Sequence, residues 1–204
     1  MRLLVATTNP GKIREIRQVL DGLPLEIVTL ADLPAIAEPE ETGLTFAANA
    51  RSKALAYWHA AGMPTVAEDS GLAIDALGGR PGVASARYAG RTYPEKFTGL
   101  YRELAPHPRP WTTRFVCALA FIETDPAPAF ECQATVEGEI APAPAGTGGF
   151  GYDPIFFYPR YGATLAEVDA DRKLAVSHRG RAFRQFRTWL ETNAQASQKL
   201  EARS

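Results

Sequence analysis

The chain has 204 residues, enough to bury one sizeable core or two small lobes around a cleft. Apolar residues make up 46% of it, an ordinary globular share that argues against wholesale disorder. With 22 basic and 23 acidic residues the formal net charge is -1, and no Lys/Arg-rich tract appears, so neither DNA nor RNA is an expected partner. Any phosphate the protein holds is expected on a small molecule, gripped by a few local cations.

Leu3 to Ala6 is a short continuous apolar run, as a buried strand gives. Asn9 suits an N-cap and Pro10 the first helical position, and Ile13, Ile16, Val19 and Leu20 then recur at helical spacing. Leu25 to Thr29 reads as a second strand, Glu38 to Gly43 as an acidic loop, and Thr45 as the cap of a helix reaching Gly62. Pro64 to Glu68 reads as a strand that ends at Asp69-Ser70-Gly71, followed by a turn-rich excursion around Gly78-Gly79 and Pro81-Gly82. Thr92 to Ala105 is expected to be helical. Alternation around Phe115–Phe121 and Phe130–Val136 predicts a hairpin. A Pro/Gly-rich passage runs from Pro142 to Pro154, and Ser177 opens a last helix carrying Phe183, Phe186, Trp189 and Leu190.

These elements predict an α/β fold, a mixed twisted central sheet flanked by helices. One domain is expected over residues 1–192, with a polar, frayed tail over 193–204. Cys117 and Cys132 have no metal-ligand spacing and read as buried free thiols rather than a disulfide. The opening apolar run is too short for a signal segment, and no stretch approaches the roughly 20 apolar residues of a membrane span. A cytoplasmic protein without a membrane partner is the expectation.

Several clusters could carry chemistry. Thr7-Thr8-Asn9-Pro10-Gly11-Lys12 joins a strand to a helix N-terminus, where main-chain N–H groups and the helix dipole favour an anion, and Lys12 adds a full charge. It lacks the P-loop pattern, and read alone it is equally an ordinary capped helix. Asn49 and Lys53 share a helical face, which is also what a solvated amphipathic helix shows. Glu41, Glu68 and Asp69 are carboxylates of the kind that hold Mg²⁺ together with substrate phosphates, or merely solvated loop acids. The glycine-flanked Phe150 and Tyr152 either stack a nucleobase or fold back into the core. Lys173, Ser177, His178 and Arg179 place cations and a hydroxyl at a helix start, where a keto oxygen or a phosphate would be read. No G-x-S-x-G elbow supports a serine hydrolase.

The order of these clusters says more than any one of them. TTNPGK at 7–12, EETGLTF at 40–46, FAANARSKA at 46–54, EDSGL at 68–72, GGRPGVASARY at 78–88, GTGGFGYDPIF at 146–156 and AVSHRG at 175–180 together resemble the inosine triphosphate pyrophosphatase family, the dITP/XTP diphosphatases, over about residues 2–190. The resemblance implies a homodimer of elongated, two-lobed protomers with an active-site cleft between the lobes. It implies hydrolysis of deaminated purine triphosphates (ITP, dITP, XTP) to the monophosphate and pyrophosphate.

By the same resemblance, Thr7, Thr8, Asn9, Pro10, Gly11 and Lys12 would cradle the phosphates and Lys53 would add a cation. Glu41 and Asp69 would hold Mg²⁺, with Glu68 in reserve, and Asp69 would be the general base. Ser70, Phe150, Gly151, Tyr152, Asp153, Lys173, His178 and Arg179 would contact the nucleotide. Glu68 stands where relatives often have Asp, and Leu174 where Asn is frequent. The alternatives are a pyrophosphatase of modified pyrimidine nucleotides and a nucleotide sensor that does not cut.

Overall fold

The structure, a computed structural model, describes residues 1–201, and their side chains as far as residue 194. The elements run β1 (Arg2–Val5), α1 (Pro10–Leu20), β2 (Glu26–Thr29), α2 (Phe46–Ala61), β3 (Thr65–Ile74), α3 (Tyr93–Leu104), β4 (Thr112–Ile122), β5 (Phe130–Ile140), β6 (Phe156–Tyr158), β7 (Ala163–Thr164), α4 (Ala170–Val176) and α5 (His178–Glu201). The strands form one sheet in the order β2-β1-β3-β4-β5-β6-β7. β1 is parallel to β2, with Leu3 beside Ile27, and to β3, with Val5 beside Val66. β5 and β6 are antiparallel, with Ile140 beside Phe156, as are β6 and β7. The sheet is mixed, as the alternation of elements predicts.

The chain divides into two compact units. Unit 1 comprises Met1–Asp69, Ala118–Gln133 and the chain from Arg179 on; unit 2 comprises Ser70–Cys117 and Ala134–His178. In unit 1 the two-residue period of the strands sorts side chains onto two faces. Leu4, Ala6, Ala67, Ala118, Ala120 and Ile122 pack with Ala50, Ala54 and Tyr57 of α2. The small side chains let the helix backbone lie close to the sheet. The intervening strand residues point the other way, where Phe121 of β4 meets Phe186 and Trp189 of α5. α1 buries Ile16, Val19 and Leu20, and Arg187 of α5 donates to the carbonyls of Val19 and Asp21 at its C-terminal end. Unit 2 has a separate core, in which Leu72, Ile74, Phe97, Leu100, Phe115, Val136 and Phe156 are buried.

The helix starts follow the expected capping chemistry. Asn9 caps α1, Thr45 caps α2 through the Ala48 N–H, and Thr92 and Glu95 form a capping box at α3. Two expectations change and one helix is added. β3 does not stop at Asp69-Ser70-Gly71 but runs on to Ile74, because Gly71 admits close packing. A Cβ there would stand 2.4 Å from Ser85 Oγ and 2.6 Å from the Gly82 carbonyl, and Ser85 Oγ also accepts the Leu72 N–H. α4 was not legible as a helix of its own; Asp169 caps it by accepting the Arg172 N–H at 2.8 Å. α5 continues through the polar stretch 193–201, where a frayed tail was expected; that expectation for residues 202–204 lies outside the described residues. Cys117 and Cys132 are both free thiols, and burial pushes the Cys132 thiol up to about 11.

Replacing Gly71 with Ala overpacks this crossing. It should destabilise the fold by about 1–3 kcal/mol, read as a lower denaturation midpoint at unchanged slope.

Candidate active site

β3 carries two acidic residues side by side, and alternation aims them at different helices. Asp69 follows Ala67 onto the face covered by α2. Its Oδ1 lies 3.2 Å from Lys53 Nζ, and its Oδ2 accepts from Asn49 Nδ2 at 3.0 Å. Lys53 Nζ also lies 2.8 Å from Glu41 Oε1, which brings the 38–45 loop onto the same cation. Asn49 and Lys53 are buried, 1% and 9% exposed, so this face of α2 is the floor of a polar cluster rather than a solvated surface.

Glu68 points the other way, toward α1 and α5. Its Oε1 lies 2.7 Å from Lys12 Nζ and 3.2 Å from Arg179 Nη2, and Arg179 Nη1 reaches Glu15 Oε2 at 2.7 Å. The sequence did not mark Glu15 as functional. The available signal was its position three residues after Lys12, which puts both on one helical face.

The electrostatics follow from this burial. Burial opposes ionisation of Glu68, but Arg179 and Lys12 outweigh it and hold the carboxyl well below the usual carboxylate range. Burial also works against the charge on Lys53, yet Asp69, Glu41 and Glu68 raise its pKa above the ordinary lysine value. For Asp69 the balance tips the other way: burial lifts its pKa, Lys53 and Asn49 counter it only in part, and Glu41 adds to the rise. The result is a carboxylate more basic than an exposed aspartate.

At the start of α1, Gly11 and Lys12 donate their N–H groups to Asn9 Oδ1 at 2.9 and 3.2 Å, and Asn9 N–H donates to Thr7 Oγ1 at 3.2 Å. The amides expected to cradle phosphate are therefore engaged by the cap in this state. Thr8 and Pro10 are exposed and Lys12 is half-buried.

Ser70, Phe150, Gly151, Tyr152, Asp153, Lys173 and His178 belong to unit 2. Asp153 and Lys173 form a buried pair at 2.6 Å, and Asp153 Oδ2 also accepts the Phe150 N–H at 2.7 Å. Lys173 Nζ sits over the half-buried Phe150 ring, 4.1 Å from its centroid. Phe150 keeps the role of a stacking candidate, but Tyr152 does not offer a ring face. It is buried in the unit 2 core, edge-on to Tyr93, with its hydroxyl donating to the Ser85 carbonyl. His178 stacks on Phe115, which stacks on Phe156. Ser70 lies half-buried in β3.

The model of the Ham1 family matches residues 3–189. The chain belongs to the Ham1 family. It is 46% identical over 185 residues to the dITP/XTP pyrophosphatase of Geobacter sulfurreducens, covering 89% of this chain and 92% of the relative. It is 45% identical over 188 residues to that of Shigella flexneri, covering 90% and 94%. Among solved structures, a HAM1 protein from Coxiella burnetii superposes with a TM-score of 0.84 at 39% identity, covering 94% of this chain and 99% of that one. The dITP/XTP pyrophosphatase of Mycobacterium abscessus superposes with a TM-score of 0.75 at 40% identity, covering 91% and 98%.

Glu41 and Asp69 are the residues that could hold a divalent metal. They supply oxygen donors that converge on one lysine. Among the described residues no group of three His, Cys, Asp or Glu side chains forms a complete cage. Mg²⁺ is commonly held in this way, by one or two carboxylates plus the substrate's phosphates. Among the described residues no helix is long and apolar enough to cross a membrane.

Glu68 gives the network a pH signature. Its pKa is lower in the folded protein than the ordinary 4.5, so its stabilisation is present above that value and lost as pH falls through the folded pKa. Glu68→Gln should cost about 3–5 kcal/mol above about pH 5. The gap from wild type should close on acidification, as measured by denaturant unfolding at a series of pH values.

Proposed function

We propose that this chain hydrolyses deaminated purine nucleoside triphosphates (dITP, ITP and XTP) to the monophosphate and pyrophosphate, clearing them from the nucleotide pool. The carrying observation is the buried Lys53, held between Glu41 and Asp69 at 2.8 and 3.2 Å. It stands in a chain 46% identical to a dITP/XTP pyrophosphatase. Paired carboxylates and buried lysines are the equipment of phosphoryl transfer, where positioning and charge stabilisation do most of the catalysis.

Glu41 and Asp69 would hold Mg²⁺, which when bound neutralises charge on the triphosphate oxygens. Lys12 and Lys53 bind the polyphosphate and stabilise the departing pyrophosphate. Asp69 accepts a proton from the attacking water, whose oxygen forms the new bond to the α-phosphorus as the bond to the bridging oxygen breaks. Glu68 is committed to Lys12 and Arg179 and serves as their counter-ion rather than as a second base.

Base selectivity is assigned to Phe150 as a stacking surface and to donors at the start of α5. Deamination turns the purine 6-amino donor into a keto acceptor. The Ser177 N–H already donates to the Lys173 carbonyl and the Arg179 guanidinium to Glu68 and Glu15, so a keto oxygen read here competes with those partners. A site that hydrogen-bonds a keto group leaves its donors opposed when an amino group enters. The homodimer and the cytoplasmic location implied by the family resemblance accompany this reading. The charge ladder of Lys12, Glu41, Lys53 and Asp69 favours cutting over mere sensing.

Pyrophosphate release from XTP, dITP, GTP and ATP, with and without Mg²⁺, tests the reading. XTP and dITP should exceed ATP in kcat/KM by about 10⁴-fold, and chelation of the metal should stop turnover. Comparable rates on ATP would overturn the specificity. Asp69→Asn should lower kcat by about 10³-fold, within the range of a lost general base.

A further inference from the structure

Asn49 stands one turn before Lys53 on α2 and is almost wholly buried. A polar side chain buried that deeply is costly unless its groups are hydrogen-bonded. In the alanine-rich α2 it is also a weaker helix former than its neighbours. Both ends of the amide are bonded. Oδ1 accepts the Gly43 N–H at 2.8 Å, and this contact fixes the orientation, because a main-chain N–H can only donate. Nδ2 therefore faces Asp69 and donates to Oδ2 at 3.0 Å, while Lys53 takes Oδ1 at 3.2 Å. Each oxygen of Asp69 has one donor from the same helical face, and together the two donors set the plane of the carboxylate. A carboxylate has about four acceptor sites, so a water can still bond to either oxygen.

We propose that Asn49 is a positioning residue for the hydrolytic step. It orients Asp69 and, through Gly43, keeps the loop bearing Glu41 in register with it. The inference rests on the reading of Asp69 as the group that takes the proton from water. The residue type is specific to the task. Leucine would fill the space and bond to neither partner; aspartate would accept from Gly43 but set a second carboxylate against Asp69. Gly43 is the other half of the device. A Cβ there would stand 2.5 Å from Asn49 Oδ1 and 3.2 Å from its Cγ, so the loop meets the amide at a distance only glycine allows.

The test measures steady-state XTP hydrolysis by wild type, Asn49→Asp and Gly43→Ala, with kcat expressed per folded molecule from circular dichroism. Asn49→Asp keeps the loop contact and removes the donor. Its kcat should fall about 10²-fold, the cost of a small misplacement at a reacting centre, with KM within about threefold of wild type. Gly43→Ala retains every polar group and displaces the amide, and a fall in kcat of about tenfold at unchanged KM is expected on the same ground. It also serves as the test if Asn49→Asp does not fold. A purely structural role would lower the melting temperature while leaving kcat per folded molecule and KM unchanged, and that result overturns the proposal. A wild type inactive on every purine triphosphate overturns the functional reading and the role of Asn49 with it. An active wild type with both variants within twofold of it overturns the role alone.

Discussion

The polar interior of unit 1 depends on one buried ammonium. Lys53 lies within ion-pair distance of Glu41 and Asp69, and Glu68 also acts on it through space. Without that cation, two carboxylates would face each other in a poorly solvated place, where like charges strongly disfavour joint ionisation. With it, the two carboxylates share one cation at 2.8 and 3.2 Å. The alanines of α2 contribute to the same end. Because Ala50 and Ala54 pack flat on Ala67, Ala118 and Ala120, the helix backbone stays near the sheet, and the lysine stem can place its head beside β3.

The strand period then separates two tasks. Asp69 faces α2, where an amide and an ammonium address its two oxygens; Glu68 faces α1 and α5, where Lys12 and Arg179 neutralise it. Adjacent residues of similar chemistry thus have opposite pKa shifts, one raised and one lowered. Asp69 is the more basic of the two, and Glu68 is the counter-ion of Lys12 and Arg179. In unit 2, the Asp153–Lys173 pair plays a comparable organising part. It ties the glycine-rich turn through the Phe150 N–H and sets a cation on the Phe150 ring.

Much of this was legible in the chain. Hydrophobic period and capping residues located β1, α1, β2, α2, α3 and the β4–β5 pair, since those signals are local. The continuation of β3 through Gly71 was not legible, because a glycine in a strand looks like a turn until the partner that needs its missing side chain is known. That partner, Ser85, lies 14 positions further on. At the site, residue types and motif order picked out Lys12, Glu41, Lys53 and Asp69. The ion pairs of Arg179 were not legible because its partners Glu15 and Glu68 lie 164 and 111 residues away. Nothing near Ser177-His178-Arg179 announces two carboxylates waiting for the guanidinium. Tyr152 was equally ambiguous: one aromatic after a glycine reads as exposed or buried, and only the Ser85 carbonyl that takes its hydroxyl decides.

Asn9 closes the first turn of α1 by taking the N–H groups of Gly11 and Lys12 on one oxygen. An incoming phosphate that uses those same amides must displace this side chain, so the ligand takes over as the cap of the helix. Occupancy and the order of the first turn are then linked. Asn9 Oδ1 holds the helix end as an internal acceptor, and an anion taking those amides would bind by the difference between two caps rather than by the full strength of one.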